Sequence, residues 1–136
     1  MQASRANYRL KLLPISEILE IEKGKRIRAC GTIPEGLALF QDHFPEFAVL
    51  PGVLSLEILK STAERYAVSA DAEDDGAEYR FKQIRNVRFT HFLKPGDRWE
   101  SVLELVGTHG NESGWRGKLF HEGRAVASAQ WVLVKK

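Results

Sequence analysis

The sequence predicts an α+β fold in which one long buried helix packs against a mainly antiparallel sheet. A single stretch beginning at Val53 places apolar residues at helical spacing, whereas most of the remaining chain alternates between apolar and polar residues as half-buried strands do. The last stretch, Arg124 to Val134, sets several small residues on one face, which leaves room for the helix to lie against it. No repeat or linker is apparent, so we expect one domain over residues 1–136.

Strand patterns precede the helix. Tyr8 to Leu13 alternates in character, and Arg26 to Ile33 places every second residue on one apolar face. Between them, Ser16 to Glu22 fits either a short helix or a strand before a turn at residues 22–25, and the pattern alone leaves both open.

The helix is predicted to run from Val53 to near Val68. Leu54 and Ile58 form a second apolar edge, so the helix should be buried on more than one side. The main apolar face consists of Val53, Leu56, Leu59, Ala63 and Tyr66. An acidic loop, Asp71 to Ala77, follows the helix.

The remainder of the chain predicts sheet. Tyr79 to Phe89 and Trp99 to Val106 flank a Pro-Gly turn, and Gly114 to His121 pairs with Arg124 to Val134 across a tight Glu-Gly turn. Three tryptophans lie on these strand patterns and are expected in the core or in an interface: Trp99, Trp115 and Trp131.

Composition narrows the class of protein. The chain has 136 residues, 43% hydrophobic and 28% charged, which is ordinary for a globular domain, and its net charge of +2 does not indicate a nucleic-acid binder. It contains neither an apolar stretch long enough to cross a bilayer nor the apolar core of a secretory signal, so we expect a cytoplasmic protein without a membrane partner. The lone Cys30 is assigned no chemistry, and no metal-ligand spacing appears.

The run from Asp42 to Glu57 carries the chemistry. Pro51 suits the first turn of a helix, and Gly52 allows close approach to the exposed backbone N–H groups there. His43 precedes this helix start and Glu57 follows it by one to two turns. His43 is able to take a proton and Glu57 is able to give one. This spacing allows both to face one oxygen held at the helix end.

This run resembles the signature of the bacterial (3R)-hydroxyacyl-[acyl carrier protein] dehydratases, a branch of the hotdog superfamily. Eight positions match the family's spacing: His43, Phe44, Pro45, Pro51, Gly52, Val53, Leu54 and Glu57. A weaker match follows at Ile84 to Phe89 and Lys94 to Asp97, so the likeness spans roughly residues 26 to 106. It implies a hotdog fold, a long central helix wrapped by a mainly antiparallel sheet.

The resemblance also implies a reaction, the dehydration of a (3R)-3-hydroxyacyl thioester to the trans-2-enoyl thioester in fatty-acid or related secondary-metabolite biosynthesis. His43 would abstract a proton, Glu57 would protonate the departing hydroxyl, and the backbone N–H of Gly52 would hold the thioester oxygen. No cofactor or metal is required. The substrate pocket would include Phe44, Pro51, Val53 and Ile58.

The implied partners are an acyl carrier protein or CoA thioester and a second copy of the chain. In the family the site is shared across a homodimer, which in some members assembles further into a trimer of dimers. Six basic residues and one acid lie between Arg80 and Arg98, so Arg85, Arg88 and Lys94 are candidates for docking an acidic carrier protein. The alternative is that these charges are solvated strand faces.

Other interpretations stay open at this point. Taken singly, His43 fits a backbone hydrogen bond, and Glu57 fits a solvent-facing residue paired with Lys60. The chain departs from the family pattern, which changes the pocket wall and favours a specialised dehydratase; the departures are Asp42, Ala48, Ile58 and Ser61. A hotdog thioesterase and a catalytically silent acyl-binding subunit are the alternative functions.

Overall fold

A computed structural model describes residues 13–35, 50, 52–70 and 76–136. Within these ranges the chain forms one helix, α1 (Gly52–Ala70), and six strands. The strands are β1 (Ile15–Glu22), β2 (Arg26–Thr32), β3 (Tyr79–Phe89), β4 (Arg98–His109), β5 (Glu112–His121) and β6 (Arg124–Lys135).

The six strands form one sheet in the order β1-β2-β4-β5-β6-β3, and every neighbouring pair is antiparallel. The sequence left residues 16–22 as either a short helix or a strand. In the structure they form a strand that pairs with β2, with Ile18 opposite Ala29 and Ile21 opposite Ile27. The strand predicted from Tyr8 to Leu13 lies almost entirely outside the described residues.

The helix α1 packs on one face of this sheet, as the alternation of the strands requires. Residues on that face of β2 and β6 are almost fully buried, among them Ile27, Ala29 and Leu133. Three consecutive helical side chains, Lys60, Ser61 and Thr62, are at most 5% exposed, so the helix is buried on several sides as expected. One helix against a six-stranded antiparallel sheet is the hotdog architecture that the resemblance implied.

The three tryptophans lie in the core and are accommodated by glycines. A β-carbon on Gly117 would lie 2.6 Å from the ring of Trp131, and one on Gly31 would overlap the ring of Trp99. Trp115 meets Tyr66 of the helix edge-on, with ring centroids 5.2 Å apart. Helix and sheet are thereby fixed against each other by aromatic contacts.

Several element bounds and burial assignments differ from the prediction. The helix begins one residue before Val53, which is 64% exposed, and ends two residues after Val68. β4 and β5 extend their hairpin to His109 and Glu112, because cross-strand pairing continues past the last apolar residues. Among the helices of the described residues, none is long and apolar enough to span a lipid bilayer.

Candidate active site

The start of α1 is anchored to the loop that follows β3. The N–H of Leu50 donates a hydrogen bond to the carbonyl of Leu93 at 2.6 Å, and both side chains are at most 1% exposed. The helix then begins at Gly52, and the first N–H groups of an α-helix have no acceptor within the helix. Donors of this kind, at the positive end of a helix dipole, attract oxygens that carry negative charge, so the predicted role of Gly52 is compatible with its position.

Gly52 is in close contact with an aromatic ring. A β-carbon built on Gly52 would lie 2.9 Å from Cε2 and 3.0 Å from Cζ of Phe89, the last residue of β3. The backbone of Gly52 has no positive φ, so the requirement for glycine at this position is steric. Phe89 therefore covers the helix start, a role that the sequence pattern did not indicate.

Glu57 lies five residues after Gly52, which corresponds to about 7.5 Å along the helix axis. Its side chain is partly buried, and helical side chains lean toward the N-terminal end of their helix, which is the Gly52 end here. His43, Phe44 and Pro51 lie outside the described residues. The convergence of His43 with Glu57 therefore stays a prediction.

The helix carries a buried cation one turn beyond Glu57. Lys60 is 3% exposed, and its Nζ lies 4.0 Å from Oε2 of Glu64 and 5.7 Å from the ring centroid of Phe81 on β3. The side chain of Glu57 is partly buried, which differs from the solvent-facing position considered from the sequence.

The departures at Ile58 and Ser61 fall on buried positions. Ile58 is completely buried within the core cluster, and Ser61 is 5% exposed. Next to them, the hydroxyl of Thr62 bonds the carbonyl of Ile58 at 2.9 Å and lies 2.8 Å from the hydroxyl of Ser101 on β4. These contacts join the middle of the helix to the centre of the sheet.

Exposed apolar residues occur at the helix start, along β3 and in the loop after it. Phe89 and Phe92 are stacked with centroids 6.5 Å apart. We call the exposed large hydrophobic residues of these three segments the apolar strip: Val53, Ile84, Val87, Phe89 and Phe92, which are 37–64% exposed. β3 is also an end strand of the sheet, so one of its edges has no described strand beside it.

A β-bulge in β3 brings two arginines to the outer face of the sheet. Arg85 pairs with Gln130 and Arg88 with Ser128, so three steps along β3 match two along β6. Asn86, within the bulge, has φ of 55°, a left-handed conformation that asparagine tolerates better than most residues. Without the extra residue, Arg85 and Arg88 would point to opposite faces.

The two cross-strand pairs that Arg85 and Arg88 form with β6 continue onto β5, where the paired residues are also basic. Gln130 also pairs with Arg116, and Ser128 pairs with Lys118. We call Arg85, Arg88, Arg116 and Lys118 the basic face; apart from Arg85, they line a cavity of about 380 Å³. Arg28 on β2 differs from these residues because it donates a hydrogen bond to the Glu100 carboxylate. This carboxylate raises the pKa of the guanidinium. Lys94 lies in the turn before β4, where its N–H donates to Asp97 at 2.8 Å.

Comparison with known proteins identifies the family. The model of the ApeI-like family, described as ApeI dehydratase, matches residues 20–128. A 3-hydroxyacyl-[acyl-carrier-protein] dehydratase FabZ of Albidiferax ferrireducens is 38% identical over 101 residues, 73% of this chain and 67% of the relative. The FabZ of Bacillus velezensis is 31% identical over 123 residues, 90% of this chain and 86% of the relative.

Solved structures share the fold at low identity. The dehydratase heterocomplex ApeI:P from Xenorhabdus doucetiae superposes with a TM-score of 0.75 at 11% identity, covering 100% of this chain and 93% of that one. A hypothetical thioesterase with coenzyme A from Streptococcus pneumoniae reaches 0.69 at 10% identity, covering 96% and 94%. The shared fold confirms the hotdog architecture, and on the family match and the FabZ relatives this chain belongs to the ApeI-like family of FabZ-type dehydratases.

Proposed function

We propose that this protein dehydrates a (3R)-3-hydroxyacyl thioester of acyl carrier protein to the trans-2-enoyl thioester, in fatty-acid or related polyketide biosynthesis. A C2–H bond and the C3–O bond break, the C2–C3 bond becomes double, and water leaves. His43 takes the C2 proton, and Glu57 gives a proton to the departing hydroxyl. Proton transfer from His43 to Glu57 through solvent then resets the site.

The observation that carries this proposal is the geometry of the helix start. Gly52 presents backbone N–H groups at the positive end of α1, and Glu57 follows one to two turns later on the same helix. Donors of this kind stabilise charge that develops on a thioester oxygen during proton removal, and removing one such donor typically lowers turnover about 10²–10³-fold. The ring of Phe89 lies against the α-carbon of Gly52, beside those donors.

We further propose that the active unit is a homodimer joined through β3. One edge of this end strand has no described strand beside it, and the strand and the loop after it carry most of the apolar strip. Exposed strand edges and apolar patches are the features that strand-to-strand association covers. In this arrangement His43 of one subunit faces Glu57 of the other, and the acyl chain lies between subunits against the exposed Val53.

The carrier protein docks, in this proposal, on the basic face together with Lys94. Arg85 and Arg88 face outward from adjacent rungs, and Arg116 and Lys118 lie about 10 Å away across β6. Only Arg116 of these four has a described carboxylate partner, Glu104 at 3.3 Å. Acyl carrier proteins are typically acidic, so charge complementarity favours this face for the encounter.

Mass spectrometry of a 3-hydroxyacyl carrier protein tests the reaction. The wild type should remove one water from the acyl group, whereas His43→Ala and Glu57→Gln should leave the substrate unchanged. Release of the free carrier thiol would instead indicate a thioesterase. No change at any acyl length would indicate an acyl-binding subunit.

Light scattering tests the dimer. The wild type should have twice the monomer mass at micromolar concentration, and Ile84→Arg should be monomeric and inactive because it places a charge in the apolar strip. Lys82→Arg on the same strand retains the charge pattern and serves as the matched control. An active monomer contradicts the shared site, and a mixed complex with a second hotdog chain would replace the homodimer.

A further inference from the structure

The start of α1 is held at two separate points by one short segment of the chain, residues 89–93. The ring of Phe89 lies against Gly52, and the carbonyl of Leu93 accepts a hydrogen bond from the N–H of Leu50 at 2.6 Å. Leu50 and Leu93 are at most 1% exposed, so water does not compete for this hydrogen bond. The position of Gly52 therefore depends on the course of residues 89–93.

Between these two points the segment is attached to the beginning of β6. The N–H of Thr90 donates to the carbonyl of Val126 at 3.0 Å, and the hydroxyl of Thr90 donates to the carbonyl of Ala125 at 2.9 Å. The N–H of His91 shares the Val126 carbonyl at a longer distance of 3.4 Å. Thr90 thus bonds two successive carbonyls of β6, one through its backbone and one through its side chain.

The hydroxyl bond matters because a single attachment point would act as a hinge. β3 ends one residue earlier, so the chain turns away from the sheet at Thr90. Bonds to Val126 alone would let the segment rotate about that carbonyl, whereas a second bond at Ala125 fixes its direction. The contact between Arg124 and His91, at 3.2 Å, joins two exposed side chains and constrains the backbone less.

We propose that Thr90 is a positioning residue for the dehydration: its hydroxyl bond to Ala125 sets the direction of residues 89–93 and thereby the place of the Gly52 N–H. The inference rests on the proposed function of Gly52. An N–H that stabilises charge only as the charge develops contributes to kcat and not to substrate binding. Loss of the Thr90 hydroxyl should therefore lower kcat and leave KM nearly unchanged.

Thr90→Val replaces the hydroxyl by a methyl group and removes the bond to Ala125. We expect kcat to fall about tenfold with KM within about twofold, because a misplacement near 1 Å at a reacting group lowers the rate about 10²-fold and this one is smaller. Thr90→Ser keeps the hydroxyl and should retain the wild-type kcat. Thr108→Val, at an exposed threonine near the far end of β4, is the matched control and should change neither constant.

Amide hydrogen exchange gives a second measurement that needs no substrate. Exchange of the Leu50 N–H should be faster in Thr90→Val, whereas the N–H of Leu105, which donates to the carbonyl of Lys25 at 2.8 Å, should exchange as in the wild type. Equal acceleration of both would show a general loss of stability and would overturn the proposal. Unchanged exchange and kcat in folded Thr90→Val, or an equal loss in Thr90→Ser, would overturn it as well.

Thr90→Ala removes the same hydroxyl without adding a methyl group and decides the case in which Thr90→Val does not fold. It should reproduce the loss of kcat and the faster exchange of Leu50, and wild-type behaviour of Thr90→Ala overturns the proposal. If the wild type dehydrates no hydroxyacyl substrate, the proposed function fails. The exchange of Leu50 then still tests whether Thr90 fixes the helix start.

Discussion

Replacing Gly52 by alanine is expected to lower turnover strongly while changing stability little. The new β-carbon would lie 2.9 Å from Cε2 and 3.1 Å from Cδ2 of Phe89. Carbon atoms in favourable contact are about 3.5–4.0 Å apart, so the ring or the helix start must move by at least about 0.6 Å. The displaced group lies where the thioester oxygen is proposed to bind.

Gly52→Ala should affect turnover more than stability, because the ring that it displaces is partly exposed. Overpacking costs about 1–3 kcal/mol in a tight core, but Phe89 is 37% exposed and its ring can move into solvent. Alanine in place of glycine returns about 0.5–1 kcal/mol within a helix, so the net change in the free energy of unfolding should stay below about 2 kcal/mol. A misplacement near 1 Å at a reacting group lowers the rate about 10²-fold.

The assay is a double-mutant cycle of Gly52→Ala and Phe89→Ala, measuring kcat on a hydroxyacyl carrier protein and the thermal midpoint of each variant. Removing the ring should relieve the collision, so the double variant should recover most of the activity that Gly52→Ala loses, with a coupling energy of about 1–3 kcal/mol. Full activity in Gly52→Ala, or an equal loss in the double variant, would refute the steric argument.

Three further predictions concern the core and the basic face. Gly31→Ala should lower the free energy of unfolding by about 1–3 kcal/mol in urea denaturation, because its β-carbon would overlap the buried ring of Trp99. Thr62→Val should lower it by a similar 1–3 kcal/mol, roughly, because the buried Ser101 hydroxyl loses its 2.8 Å partner. Arg85→Glu should weaken binding of an acidic carrier protein and flatten its salt dependence, as fluorescence anisotropy would show.

Each of these has a control on the same chain. Gly107→Ala meets nothing within 4 Å and should leave stability nearly unchanged. Adding Ser101→Ala to Thr62→Val removes both hydroxyls and should be less destabilising than the sum of the single changes. Arg26→Glu on β2 changes the net charge equally but lies outside the basic face, so equal weakening by both charge reversals would contradict docking there.

Local patterns were sufficient for much of the fold. The residues of β2 that alternate in the sequence are buried in the structure, and β3 runs from Tyr79 to Phe89 as expected. The segment 15–22 was ambiguous because its apolar residues fit two periods, and only pairing with β2 decides between them. The spacing of Val53 placed it on the apolar face of the helix, but its side chain is 64% exposed because the sheet does not cover the helix there.

The site depends more on contacts between distant residues. Gly52 and Glu57 were found from a motif, whereas Phe89 reaches Gly52 from 37 positions away in the chain and leaves no spacing signal. The contact of Lys60 with the ring of Phe81 on β3, at 5.7 Å from the centroid, likewise joins residues 21 positions apart and leaves no spacing signal. Such choices are made by tertiary packing, which a single sequence does not display.

The bulge at Asn86 makes the length of β3 as important as its composition. Because side chains alternate along a strand, deleting one residue there would exchange the directions of Arg88 and Phe89 relative to the first half of the strand. The guanidinium would then point at the start of α1 and the ring would face the solvent. One inserted position thus decides whether the helix start meets an aromatic lid or a competing cation.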